Sequence, residues 1–123
     1  MKRILVIDDE EWLREMVHMA LSQKGFEVLE AENGAAGIEI AQRTLPDLVL
    51  CDVNMPNLTG VQLLDIMHKH AIETPVLFVT GYSPDEVESQ GLALGQDDYI
   101  QKPFRQAALI ELVRKAIERG APR

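Results

Sequence analysis

Five residues with chemical potential stand where short apolar runs give out. Residues 4–7 run into Asp8 and Asp9, residues 48–51 into Asp52, residues 76–79 into Thr80, and Lys102 follows residues 99–100. Where such runs are neighbouring strands, their ends meet on one rim. Three carboxylates gathered there repel one another, and burial raises their pKa values unless a cation offsets the charge. The set asks for a hard divalent ion. Oxygen ligands suit Mg²⁺ or Mn²⁺, and an ion with few protein ligands keeps several waters, as Mg²⁺ does in phosphoryl-transfer sites. Cys and His are absent from the strand ends, which disfavours zinc. Lys102 adds a second cation and Thr80 a hydroxyl. Metal, ammonium and hydroxyl together suit phosphoryl transfer, which is mostly in-line positioning and stabilisation of charge on oxygen. One of the carboxylates can itself be the nucleophile, forming an acyl phosphate.

Each residue also has an ordinary reading. Asp8 and Asp9 can cap a helix and complement its dipole, Asp52 can open an Asx-turn, Thr80 can serve a turn, and Lys102 can be a solvated loop charge. Their coincidence at successive strand ends is what the ordinary readings leave unexplained.

The elements that must position these residues are legible from periodicity. Strands are predicted over residues 4–7, 26–30, 48–51, 76–79 and 99–100; the first, third and fourth are apolar throughout, as parallel strands covered on both faces should be. Between them, Leu13, Met16, Val17, Ala20 and Leu21 repeat at helical spacing, as do Leu109, Leu112, Val113 and Ala116. Ile38, Ala41 and Leu45 mark another helix, and Leu63, Leu64 and Met67 a further one. Residues 84–94 carry a thin stripe of Val87, Gly91 and Leu94, interrupted by glycine, and this helix is expected to be mobile. Lys24-Gly25 closes the first helix, Asn33-Gly34 opens the second, Ser83-Pro84 opens the fourth, and Gly120 and Pro122 stop the last. Five strands alternating with five helices imply a parallel sheet with helices on both faces, whose ligands bind beyond the carboxyl ends of the strands.

Composition limits the function classes. A chain of 123 residues makes one domain, 1–123, with 46% hydrophobic and 26% charged residues, the balance of a globular protein. Twelve Lys and Arg face 20 Asp and Glu, a net charge of −8, which disfavours direct binding to nucleic acid. Cys51 stands alone, so a reducing compartment is the default. The apolar run of "MKRILVIDDE" is too short for a secretory signal, no segment reaches the length of a membrane span, and a cytoplasmic location is expected.

The motifs "ILVIDDEE", "LVLCDVNMPNLTG", "PVLFVTGY" and "DDYIQKPF", in this order and at these spacings, resemble the receiver domain of two-component response regulators along essentially the whole chain. The resemblance implies a flavodoxin-like three-layer α/β fold with strand order 2-1-3-4-5, the order the same topological rule associates with chemotaxis receivers. It implies that Asp52 accepts a phosphoryl group from a histidine kinase or phosphotransfer protein. Asp9 and Asp52 would hold Mg²⁺, Asp8 would do so directly or through water, and the backbone carbonyl of Asn54 would complete the site. Lys102 would pair with the acceptor and then with the phosphoryl group. Thr80 and Tyr99 would form the switch that reports to the face of helix four, strand five and helix five, where a downstream protein effector binds. Pro103 matches a cis peptide bond, which proline makes accessible. The domain would catalyse only its own phosphorylation and slow dephosphorylation. Gln96 departs from the family's usual small residue, and Asn54 and Tyr82 occupy positions that tune phosphoryl lifetime.

The same residues admit other readings. An aspartyl-phosphate-forming, Mg²⁺-dependent phosphatase would place an acid at position 54, where Asn54 stands. A flavin carrier would need a phosphate loop after the first strand, where "DDEE" would repel phosphate. A receiver that binds partners without phosphorylation would lack a site residue. His68 and His70, at i and i+2 of a helix, are surface residues rather than a metal pair. Cys51 should face away from Asp52 as a small core side chain, and Trp12 lies near the rim.

Overall fold

The computed structural model describes residues 1–55, 58–89, 91 and 98–119; Pro56, Leu94, Gln96, Gly120 and Pro122 lie outside the described residues. The elements follow in the order β1 (Arg3–Ile7), α1 (Glu11–Ser22), β2 (Glu27–Ala31), α2 (Gly34–Thr44), β3 (Leu48–Asp52), β4 (Asn54–Met55), β5 (Leu58–Thr59), α3 (Gly60–Lys69), β6 (Val76–Thr80), α4 (Pro84–Ser89), β7 (Tyr99–Gln101) and α5 (Gln106–Arg119). One parallel sheet runs β2-β1-β3-β6-β7, and β4 and β5 form a separate antiparallel pair. With the two short strands set aside, this is the order 2-1-3-4-5.

Side-chain alternation along each strand divides the core in two. Ile4, Val6, Leu48, Leu50, Leu77 and Val79 pack with Leu13, Val17 and Leu21 of α1 and with Leu109 and Val113 of α5. Leu5, Ile7, Val49, Cys51 and Phe78 pack on the other face with Ile38, Leu63, Met67 and Val87 of α2, α3 and α4. Cys51 is thus a core residue turned from its neighbour Asp52, and its buried thiol is pushed far above its usual pKa by burial. Its Sγ donates to the carbonyl of Asp52 at 3.2 Å.

The helix ends follow local chemistry. Asn33 Oδ1 accepts the Ala36 N–H at 2.8 Å, and Gly25 takes a φ of 89° after α1. Ser83 and Glu86 exchange hydrogen bonds at the start of α4, and Thr59 and Gln62 do so at the start of α3. Two expectations shift. Leu45 is not part of the apolar stripe of α2: it is exposed, with φ 47° as the helix C-cap, because Pro46 disfavours the helical conformation at the residue before it. The fourth helix is short, running Pro84–Ser89, and Gly91 has a left-handed φ of 86°. No helix among the described residues is long and apolar enough to cross a membrane.

Candidate functional site

Alternation that sends Ile4 and Val6, and likewise Leu48 and Leu50, toward α1 and α5 sends Asp8, just past β1, and Asp52, the last residue of β3, to the same side. β1 and β3 are hydrogen-bonded neighbours, with Ile7 opposite Cys51, so the two acids fall side by side. Asp8 is 2% exposed and firmly tied. Its N–H donates to Ala31 O at 3.1 Å, its Oδ1 accepts the Glu10 N–H at 2.9 Å, and its carbonyl accepts Arg14 Nη1 at 2.6 Å.

Lys102 reaches into this group from beyond β7. Its Nζ lies 3.4 Å from Asp52 Oδ2, 3.4 Å from Glu10 Oε1 and 3.7 Å from Asp8 Oδ2. Burial pulls the Lys102 pKa down, but the carboxylates of Asp52, Asp8 and Glu10 together outweigh it, so the pKa is raised and the ammonium stays charged. Burial acts on Asp8 in the opposite sense to its neighbours' help: the carboxyl is pushed up to about 6, although the Glu10 N–H and Lys102 both work to lower it.

The acids that converge are Asp8, Glu10 and Asp52, each offering an oxygen within 4.8 Å of the others. Three carboxylate oxygens gathered this closely are the donor set that suits Mg²⁺ or Mn²⁺. All the donors are hard oxygens; the Asp8 carboxyl is raised first by burial, with the charges of Asp52 and Asp9 adding to it. Asp9 is exposed and outside this trio, though its charge still acts on Asp8. The reason is local: the chain bends at Asp9, where the Glu10 N–H closes onto Asp8 Oδ1, and the side chains of residues 8 and 10 both come to Lys102. Sequence reasoning that started from the paired aspartates passed over Glu10, whose signal was its i+2 spacing from Asp8.

The remaining expected residues occupy two surroundings. Thr80 is 1% exposed, and its Oγ1 accepts the Tyr82 N–H at 3.0 Å. Its carbonyl accepts the Lys102 N–H at 2.6 Å. Tyr99 is half-buried with Tyr82 against the cluster beneath α3 and α4, and it pairs across the sheet with Phe78. Asn54 begins β4 opposite Thr59. The Lys102-Pro103 peptide bond is cis. His68 and His70 are exposed, and Trp12 is 62% exposed with its Nε1 donating to Glu10 Oε2 at 2.8 Å.

Comparison with known proteins gives the same picture. Among curated relatives, the Escherichia coli regulatory protein AtoC is 36% identical over 116 residues, covering 94% of this chain and 25% of AtoC. The phosphate regulon transcriptional regulatory protein PhoB of Pseudomonas aeruginosa is 34% identical over 123 residues, covering 98% of this chain and 54% of PhoB. The chain therefore spans a quarter to about half the length of these relatives. Among solved structures, the receiver domain of the Francisella response regulator 1452 superposes with a TM-score of 0.84 at 29% identity, covering 97% of this chain and 98% of that one. The chemotaxis protein CheY4 of Vibrio cholerae does so with a TM-score of 0.84 at 30% identity, covering 94% and 98%. Residues 4–114 match the family model of the response regulator receiver domain, and with the sheet order and the acid cluster pointing the same way, it is to this family of two-component signalling domains that the chain belongs.

Proposed function

We propose that residues 1–123 act as one receiver domain that takes a phosphoryl group onto Asp52 from a phosphohistidine of a kinase or phosphotransfer protein. The observation that carries this reading is the pairing of Asp52 Oδ2 with Lys102 Nζ at 3.4 Å, beside Asp8 and Glu10. Asp52 sits at the end of a buried strand, with its side chain 12% exposed, so its carboxylate is fixed yet open to a donor. A carboxylate oxygen attacks phosphorus, the P–N bond of the donor breaks, and the imidazole leaves with the electron pair. Lys102 then transfers its ammonium from carboxylate to phosphoryl oxygen, remaining charged throughout. Mg²⁺, with Mn²⁺ as its substitute, would supply the positive charge that the three acids and the phosphoryl oxygens need, held by Asp8, Glu10 and Asp52 with the Asn54 carbonyl and with Asp9 at the margin.

Readout follows from the sheet. The Thr80 hydroxyl, now engaged with the Tyr82 N–H, would turn to a phosphoryl oxygen. Tyr99 lies diagonal to it, opposite Phe78 on the neighbouring strand, and would repack. The changed surface of α4, β7 and α5 would bind a cytoplasmic effector protein, and the domain itself turns over no other substrate.

Intact-mass analysis after incubation with a small-molecule phosphodonor and Mg²⁺ tests the core of this reading. One phosphoryl adduct is expected, lost in Asp52→Asn. No adduct, or an adduct that survives that substitution, overturns it.

A further inference from the structure

Arg14 contributes no group to the acid cluster, yet it holds the turn that makes the cluster. Its Nη1 donates to the carbonyl of Asp8 at 2.6 Å, and its own N–H donates to the carbonyl of Glu10 at 3.1 Å. A single residue thus grips the carbonyls on both sides of Asp9. The guanidinium is itself anchored: Nε lies 3.3 Å from Glu30 Oε1 on β2, with the Arg14 side chain 13% exposed. The other Glu30 oxygen is 2.7 Å from His18 Nδ1, one turn further along α1. A guanidinium on a carbonyl is a charge-assisted bond, stronger and more directional than a neutral one, and the planar fork lets one side chain serve two acceptors.

We propose that Arg14 is a positioning residue for the divalent cation: it fixes the turn from β1 into α1 so that the side chains of Asp8 and Glu10 converge on Asp52, with Glu30 as its anchor on the edge strand. The inference rests on the cation-assisted reading above. Residues 8 and 10 meet across the bend at Asp9, which the Glu10 N–H closes onto Asp8 Oδ1 at 2.9 Å and the Arg14 contacts hold from outside. Freed of Arg14, the Asp8 carbonyl is able to rotate, and the two carboxylates lose their common aim. Ligand-orienting partners of this kind change metal affinity about 10- to 100-fold when removed.

The test is calorimetric titration of Mg²⁺ into the whole chain and into Arg14→Ala, Arg14→Lys, Glu30→Gln and Val17→Ala, with thermal unfolding of each measured in chelator. Val17 is buried on the same helix in the core, so its truncation reports the effect of lost stability alone. Arg14→Ala is expected to weaken Mg²⁺ binding on the order of tenfold or more. Arg14→Lys, which keeps a donor without the fork, should fall between it and the parent, and Glu30→Gln should weaken binding in the same direction by less. If Arg14→Ala does not fold, Arg14→Lys and Glu30→Gln decide. Loss of affinity no greater than in Val17→Ala overturns the positioning role while leaving the cation site intact. A parent chain that takes no Mg²⁺ overturns the reading of the site itself.

Discussion

The ammonium of Lys102 stands 3.4 Å from Asp52 Oδ2, while Glu10 and Asp8 lie at 3.4 and 3.7 Å from the same nitrogen. One positive charge therefore serves three negative ones from the far side of the sheet. Replacing it with methionine keeps the stem and removes the charge. Lys102→Met should slow phosphorylation of Asp52 by small phosphodonors on the order of 100-fold, the usual loss when one charge-stabilising donor is removed. Retained Mg²⁺ binding alongside that loss would distinguish it from misfolding. A rate within twofold of the parent would remove Lys102 from the reaction.

Asp8 makes stability depend on pH in an unusual direction for a carboxylate. Its pKa rises from 3.8 in the unfolded chain to about 6 in the fold, mainly through burial. Below the lower value both states hold the proton; above the upper one neither does; between them only the fold holds it. Its contribution to stability therefore falls as pH rises through this window, by roughly 2 to 3 kcal/mol. In chelator, Asp8→Asn should be more stable than the parent at pH 7, with the gap closing toward pH 4. Thermal unfolding across that range measures it, and a variant less stable than the parent at pH 7 would contradict the argument. Divalent cation should shrink the gap by stabilising the parent fold.

Trp12 offers an optical reading of the same charge. Its indole N–H donates to Glu10 Oε2 at 2.8 Å, and the other oxygen of that carboxylate faces Lys102. Any cation drawn to Glu10 perturbs the indole directly. Tryptophan emission should change in a saturable way with Mg²⁺, and the change should be lost in Glu10→Ala. An unaltered response in that variant would show that Glu10 is not a ligand.

Gly37 lets α2 come close to β1. A Cβ there would stand 2.7 Å from Cγ1 of Ile7, the residue just before Asp8. Gly37→Ala gains up to about 1 kcal/mol of helix propensity, but overpacking costs about 1 to 3 kcal/mol. A net loss of roughly 1 to 2 kcal/mol is expected by chemical denaturation. Gly81→Ala, where a Cβ meets nothing within 4 Å, should stay within about 0.5 kcal/mol of the parent.

The sheet was readable from sequence because its strands are buried on both faces, so "ILVI", "LVLC" and "VLFV" announce themselves as unbroken apolar runs. Asp52, Thr80 and Lys102 were readable for the same reason, as polar residues at the ends of those runs. Smaller features escaped. The β4 and β5 pair is two residues long on each side and has no apolar period to detect. Glu10 joins Asp8 and Asp52 across the bend at Asp9, and adjacent acids look alike until backbone direction is known. In the sequence alone nothing distinguishes Arg14 from any polar position on α1, because its partners are a backbone carbonyl and an acid sixteen residues later. Leu45 has the spacing of a helix stripe, but Pro46 ends the helix before it.

The middle position of β3 in the sheet bears on how the molecule breathes. Its amides are protected by ladders to β1 on one side and β6 on the other, whereas β2 and β7 each lean on one neighbour. Fraying from the margins must cross another strand before it reaches Cys51 and Asp52. Hydrogen exchange should accordingly be slowest at the acceptor strand and faster at the margins, which carry Glu30 and Tyr99. The group that would receive the phosphoryl thus sits on the part of the molecule that opens last, while Tyr99, which would relay the event outward from Thr80, sits where opening is cheap.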